Sequence, residues 1–277
     1  MYRISVLLLT ACLLTGCSNR FIYKQLDWLI PWYVDDYVDL TLVQKDNLEE
    51  QVDKLLRWHR GEELSRYIGI LGSIEQDLSR PITNETVQKW FDDVLVSAKR
   101  VQTNILPPAI KLGEGLSDEQ VREFVQNLWE RQTELEEEYL SRSNEEYIEE
   151  VYEDLSDNLI KYVGRLTPEQ KNVLNEAAGL MQRFDHVWLD DRRNWLGKIE
   201  KLLERKPGWQ QAMLEAFASR EGQQPKRFKQ YLAYNTNIIN QAIADVMNNL
   251  NKKQQEKLNF EIADLRDDFE VIIATAQ

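Results

Sequence analysis

Apolar residues recur at three- and four-residue spacing along most of the chain, the period of α-helices that lay one face against a core. From Leu42 to about Ser79 this stripe runs through Leu48, Val52, Leu55, Leu64, Ile68 and Leu71. Arg80-Pro81 ends it, because proline lacks a backbone N–H and restricts the residue before it. A second helix carries Trp90, Phe91, Val94, Leu95, Ala98, Val101 and Ile105 and is predicted to stop at Pro107-Pro108, ahead of a turn at Gly113–Gly115. Helices follow over Asp118–Leu140 and Asn144–Val163, the latter opened by Ser143 and Glu146 in capping-box spacing. Pro168–Arg205 reads as one long helix ended by Lys206-Pro207-Gly208, followed by a short helix around Met213–Phe217 and two more over Lys226–Leu250 and Lys252–Ala276. With only 11 glycines and 7 prolines, and no Asn-Gly or Asp-Gly turn between alternating apolar runs, the pattern excludes an extensive sheet. The fold class is all-α, an elongated multi-helix assembly.

The start of the chain breaks this pattern. After Met1-Tyr2-Arg3 it is apolar from Ile4 to Leu14 except for Ser5 and Thr10, the length of a signal-peptide h-region and too short for a bilayer, which takes about 20 residues. The run ends in Leu14-Thr15-Gly16-Cys17, which resembles the bacterial lipobox. That resemblance implies diacylglycerol on Cys17, cleavage before it, and acylation of the new amine; two or more acyl chains suffice for stable anchoring. Ser18 in place of aspartate implies passage to the outer membrane, facing the periplasm. Cys12 leaves with residues 1–16, so no thiol remains for a disulfide and the fold rests on core packing.

Phe21–Leu40 is dense in aromatic residues, with Ile22, Leu26, Leu29, Tyr33 and Tyr37 on one helical stripe and a kink expected at Pro31. Trp28 and Trp32 are expected to pack onto the body of the fold, the alternative being contact with the membrane interface or a partner. This opening resembles a family of bacterial lipoproteins with no assigned function.

A pentad recurs four times: Leu40-Thr41-Leu42-Val43-Gln44, Leu116-Ser117-Asp118-Glu119-Gln120, Leu166-Thr167-Pro168-Glu169-Gln170 and Leu250-Asn251-Lys252-Lys253-Gln254. Thr, Ser or Asn at N-cap accepts from an orphan N–H and Gln at N3 reaches back to the N-cap amide; Pro168 falls at N1, where its missing N–H is harmless. At a single offset of 126, Leu40, Thr41, Gln44, Lys45, Leu48 and Pro81 align with Leu166, Thr167, Gln170, Lys171, Leu174 and Pro207. The spacing suggests a tandem duplication and an organisation into a signal peptide (1–16), a lipidated aromatic segment (17–39) and two helical halves (40–165 and 166–277).

The pentads of this exported helical chain resemble those of the Spy/CpxP family of periplasmic proteins, with Leu166–Lys171 the best single match. The resemblance implies two family-like helical units in one polypeptide, and an ATP-independent holdase or envelope-stress protein. The chain departs from that family in its net charge of −13 and in Asn251. Such acidity excludes a nucleic-acid role.

Candidate chemistry is sparse. The two histidines are His59 and His186; His186 has Asp185, Asp190 and Asp191 nearby and shares a helical face with Asp190 at i, i+4, but two ligands are too few for zinc, and it reads as a surface residue. Neither a zinc-protease nor a phosphate-loop motif is present. The acids between Glu134 and Asp154 flank an intact apolar stripe and read as a solvated face. No residue is assigned a catalytic role, and no metal, cofactor or small-molecule substrate is expected. Two functions are carried forward. The first is a lipid-anchored holdase, which requires a concave apolar surface; the second is a non-catalytic adaptor for one envelope partner, which requires a closed body with one local patch.

Overall fold

A computed structural model describes residues 17–275. Residues 1–16, with the h-region and lipobox residues Leu14, Thr15 and Gly16, lie outside the described residues; Cys17 opens the first helix, its side chain outside them as well. All regular structure among the described residues is helical. An N-terminal strap of α1 (Cys17–Lys24) and α2 (Leu26–Asp35) leads to a rod made of α3 (Leu42–Trp58), one π-helical turn (His59–Glu63) and α4 (Leu64–Asp77). Then come α5 (Asn84–Glu114), α6 (Asp118–Leu140), α7 (Asn144–Val163), α8 (Pro168–Leu180), α9 (Asp185–Leu202), α10 (Trp209–Ala218), α11 (Arg220–Gln223), α12 (Lys226–Asn248) and α13 (Lys252–Ala274).

The packing interleaves early and late helices: α5 lies on α12, α6 on α9, α4 and α1 on α13, and α8 on both α7 and α12. Each apolar cluster draws from both sides of residue 165. Ile110 and Val121 pack with Trp195, Ile199 and Trp209; Tyr23 and Leu64 with Leu265, Phe269 and Ile272; Ile82 and Val87 with Ala244. Arg20 pairs with the buried Asp268, fixing the strap to α13.

Two expectations are corrected. Pro107 and Pro108 do not stop a helix; they lie inside α5, which runs on to Glu114. The carbonyls that lose donors belong to Thr103 and Asn104, both exposed, so water meets them, while burial of Ser97 and Ile110 holds the helix on either side. Residues 168–205 are not one helix either: the chain leaves the helix at Met181 and re-enters at Asp185. The freed backbone finds tertiary partners, since Asn235 accepts from the Gln182 amide at 2.9 Å and donates to its carbonyl at 2.8 Å.

Candidate functional site: an apolar corridor beneath the N-terminal strap

All four predicted caps form, and the structure brings them together in pairs. Thr41, Ser117, Thr167 and Asn251 each accept from the amide three residues on, and each N3 glutamine answers the N-cap amide. The side chains of Gln44 and Gln120 also exchange hydrogen bonds of 3.0 and 2.8 Å, and those of Gln170 and Gln254 bonds of 3.1 and 2.8 Å. Each amide nitrogen also donates to the carbonyl just before the partner pentad: Gln44 to Gly115, Gln120 to Asp39, Gln170 to Asn249 and Gln254 to Arg165. Leu40 and Leu166 are buried beside these junctions, while Leu116 and Leu250 are half-buried. The pentads are thus two reciprocal splices joining α3 to α6 and α8 to α13. They are structural joints.

The feature with binding capacity lies elsewhere. A corridor of about 1270 Å3 runs through the helical body, walled by faces of the strap, α3, α4, α5, α7, α12 and α13. Along α5 it extends from Val87 to Ile105, about 27 Å at 1.5 Å per residue. Its walls are chiefly aliphatic and aromatic, with Ile74, Trp90, Val94, Ala98, Ile243 and Met247 along its length. Phe91 and Leu95 keep 41% and 44% of their surface open, although they belong to the apolar stripe of α5. Burial pushes the phenols of Tyr147 and Tyr162, both lining residues, up to about 12.

The two helix interruptions meet this corridor. The π turn begins at His59 and α9 begins at Asp185, which are equivalent at the offset of 126; both residues line the cavity. His59 bonds Tyr23 Oη through Nδ1 at 3.0 Å and Tyr67 Oη through Nε2 at 3.2 Å. Burial drives its pKa down to about 4, opposed by Glu63. Glu63, fully buried at the end of the turn, accepts from Arg100 Nε and Nη2 at 2.7 and 2.9 Å. Asp185 accepts from Arg142 at 2.9 Å and Arg183 at 3.0 Å. These charged groups are therefore already paired, and most of the corridor lining is apolar.

The strap has two faces. Ile22, Tyr23, Leu26 and Ile30 look into the corridor, whereas Phe21, Trp28 and Trp32 are 64%, 60% and 54% exposed, the two indoles stacked 6.2 Å apart. The tryptophans therefore do not pack onto the body; the strap's inner face is spent on the corridor and leaves them outside. Of the remaining tryptophans, Trp195 and Trp209 are buried and the others half-buried. His186 is exposed, and Asp191 is engaged by Arg220. Among the described residues no group of three or more His, Cys, Asp or Glu is placed to hold a metal ion, and no helix is long and apolar enough to cross a membrane.

Sequence reading identified the caps but missed the corridor. The α5 stripe carried the only signal, and periodicity cannot distinguish a face covered by a neighbour from one facing a cavity. Nothing in His59–Glu63 announces a π turn. Residues 36–229 match the sequence profile of a family of unknown function, DUF6279. No curated protein and no solved structure matches the chain.

Proposed function

We propose that this chain, which belongs to the DUF6279 family of unknown function, is a lipid-anchored, non-catalytic binding protein of the bacterial envelope that shelters apolar guests in its helical body. The observation that carries this reading is the corridor: an open apolar space of about 1270 Å3 is far larger than packing defects, since protein interiors hold few voids bigger than a water molecule. The aromatic face of the strap and the lipobox support a position at the membrane surface, periplasm-facing on the outer membrane. The holdase reading suits this architecture because binding apolar surface needs no nucleotide and no catalytic group.

The test is aggregation of unfolding client proteins with and without residues 18–277 made as a soluble chain. Suppression near equimolar ratio across unrelated clients, weakened by Leu95→Lys, is the expected result; no suppression at several-fold excess overturns the holdase. A second reading, an adaptor for one envelope protein, is favoured by the exposed Trp28–Trp32 stack. In that case Trp28→Ser with Trp32→Ser abolishes capture of the partner while the corridor variant does not.

A further inference from the structure

We infer that the guest for which the corridor is built is the acyl chains of a membrane lipid. This rests on the reading that the corridor is a binding site, and it names the chemistry of the occupant. Size is the first argument. An α-helix about 10 Å across over the 27 Å length occupies on the order of 2000 Å3, so it would protrude from a space of roughly 1270 Å3. A client protein can lay apolar side chains into the open side while its backbone stays in water, but a peptide segment wholly inside carries an N–H and a C=O at every residue. Each one buried without a partner costs about 1–3 kcal/mol. The walls offer few partners: on α5 and α12 polar lining side chains such as Gln88, Ser97, Asn235 and Asn240 are bonded to other protein groups, and Val94, Ala98, Val101, Ile105, Ile239 and Ile243 have no donor or acceptor side chain. Acyl chains have no such groups. A methylene takes about the volume of a water molecule, roughly 30 Å3, so the space holds about 40 methylenes, room enough for two chains of palmitoyl length. Each one buried contributes about 0.8 kcal/mol.

Position is the second argument. The strap that walls the corridor on its inner side carries Phe21, Trp28 and Trp32 on its outer side. Aromatic residues of this kind settle at the bilayer interface. The corridor is therefore one helix thickness from the surface on which such residues rest, and a lipid enters it past α1 and α2 without its chains crossing open water.

The experiment uses residues 18–277, which keep all the described helices apart from the first residue of α1. The protein is mixed with vesicles of phosphatidylethanolamine and phosphatidylglycerol that contain a pyrene-labelled phosphatidylglycerol. Extraction of the labelled lipid converts excimer to monomer emission. Monomer emission is expected to rise and to saturate near one lipid per chain. Ala98→Trp, which places an indole in empty space and so spares the packing, is expected to weaken uptake about tenfold or more, the loss of two methylenes' worth of burial; circular dichroism checks that it remains folded. No uptake by the parent chain, or equal uptake by the Ala98→Trp chain, overturns the inference. If the chain suppresses client aggregation yet takes no lipid, the acyl assignment fails while the binding reading stands. If it does neither, both fail. The mature lipidated protein, run alongside, is expected to take up lipid equally. Uptake by the unlipidated chain alone overturns a membrane-lipid guest in favour of the protein's own chains at Cys17.

Discussion

His59 shows how one residue couples the fold to pH. Its ring sits between Tyr23 and Tyr67 at the corridor wall, and burial depresses its pKa from 6.5 to about 4. Between those values the unfolded chain binds a proton that the folded chain does not, so stability is whole above about pH 6.5 and is lost as the pH falls toward 4. The loss is on the order of 2–3 kcal/mol at the acid end, less whatever solvent reaches the ring. Urea denaturation of the parent and of His59→Gln at pH 7 and pH 4.5 measures it. The parent is expected to lose more stability between the two pH values than the variant, and equal losses would remove His59 from this role. Legibility at this scale was uneven. Thr41, Ser117, Thr167 and Asn251 were readable as caps because capping is a local bond three residues long. His59 was not readable, because its partners lie 36 and 8 residues away and its burial depends on neighbours from other helices.

At the scale of elements the glutamine splices separate into an open one and a closed one. Gln170 and Gln254 are 1% and 3% exposed, while Gln44 and Gln120 are half-buried and reached by water. Gln170→Ala strips partners from the Thr167 amide, the Asn249 carbonyl and Gln254 together. Unmet buried polar groups cost about 1–3 kcal/mol each, so a loss of about 3–5 kcal/mol is expected for Gln170→Ala, against about 1 kcal/mol for Gln44→Ala. Guanidinium denaturation checks the ranking, and equal losses would contradict the splice. The sequence could show that four helices start in the same way, but not that the starts interlock two by two. The reciprocal bonds span 76 and 84 residues, which cap chemistry does not specify.

For the whole molecule, the interleaving of early and late helices predicts a single cooperative unfolding event. Val87 packs with Ala244, Val121 with Trp195, and Leu64 with Leu265, so removing either half strips apolar partners from the other. Chains under two-state control give coincident transitions by different probes. Tryptophan fluorescence and far-ultraviolet circular dichroism of residues 18–277 are therefore expected to report one midpoint, whereas two separated midpoints would indicate halves that fold independently. The open interior belongs to the same scale. No single helix reveals it: the α5 stripe is an ordinary amphipathic face until one sees that α12 and α13 stand back from part of it.

The amino-acid sequence by itself determined the helical class, most helix boundaries, the four caps and the resemblance of the first residues to an export and lipidation signal. Each of these depends on residues within a few positions of one another, through helical period, capping bonds or an apolar run. Tertiary structure alone decided that α5 continues through Pro107 and Pro108, that the chain breaks at Met181–Phe184, that the caps pair, and that Trp28 and Trp32 face outward. It alone placed the π turn and the α8–α9 break at the wall of one corridor. The reason is physical: periodicity says which face of a helix is apolar, but whether that face meets another helix, water or an empty space depends on distances between segments far apart in the chain.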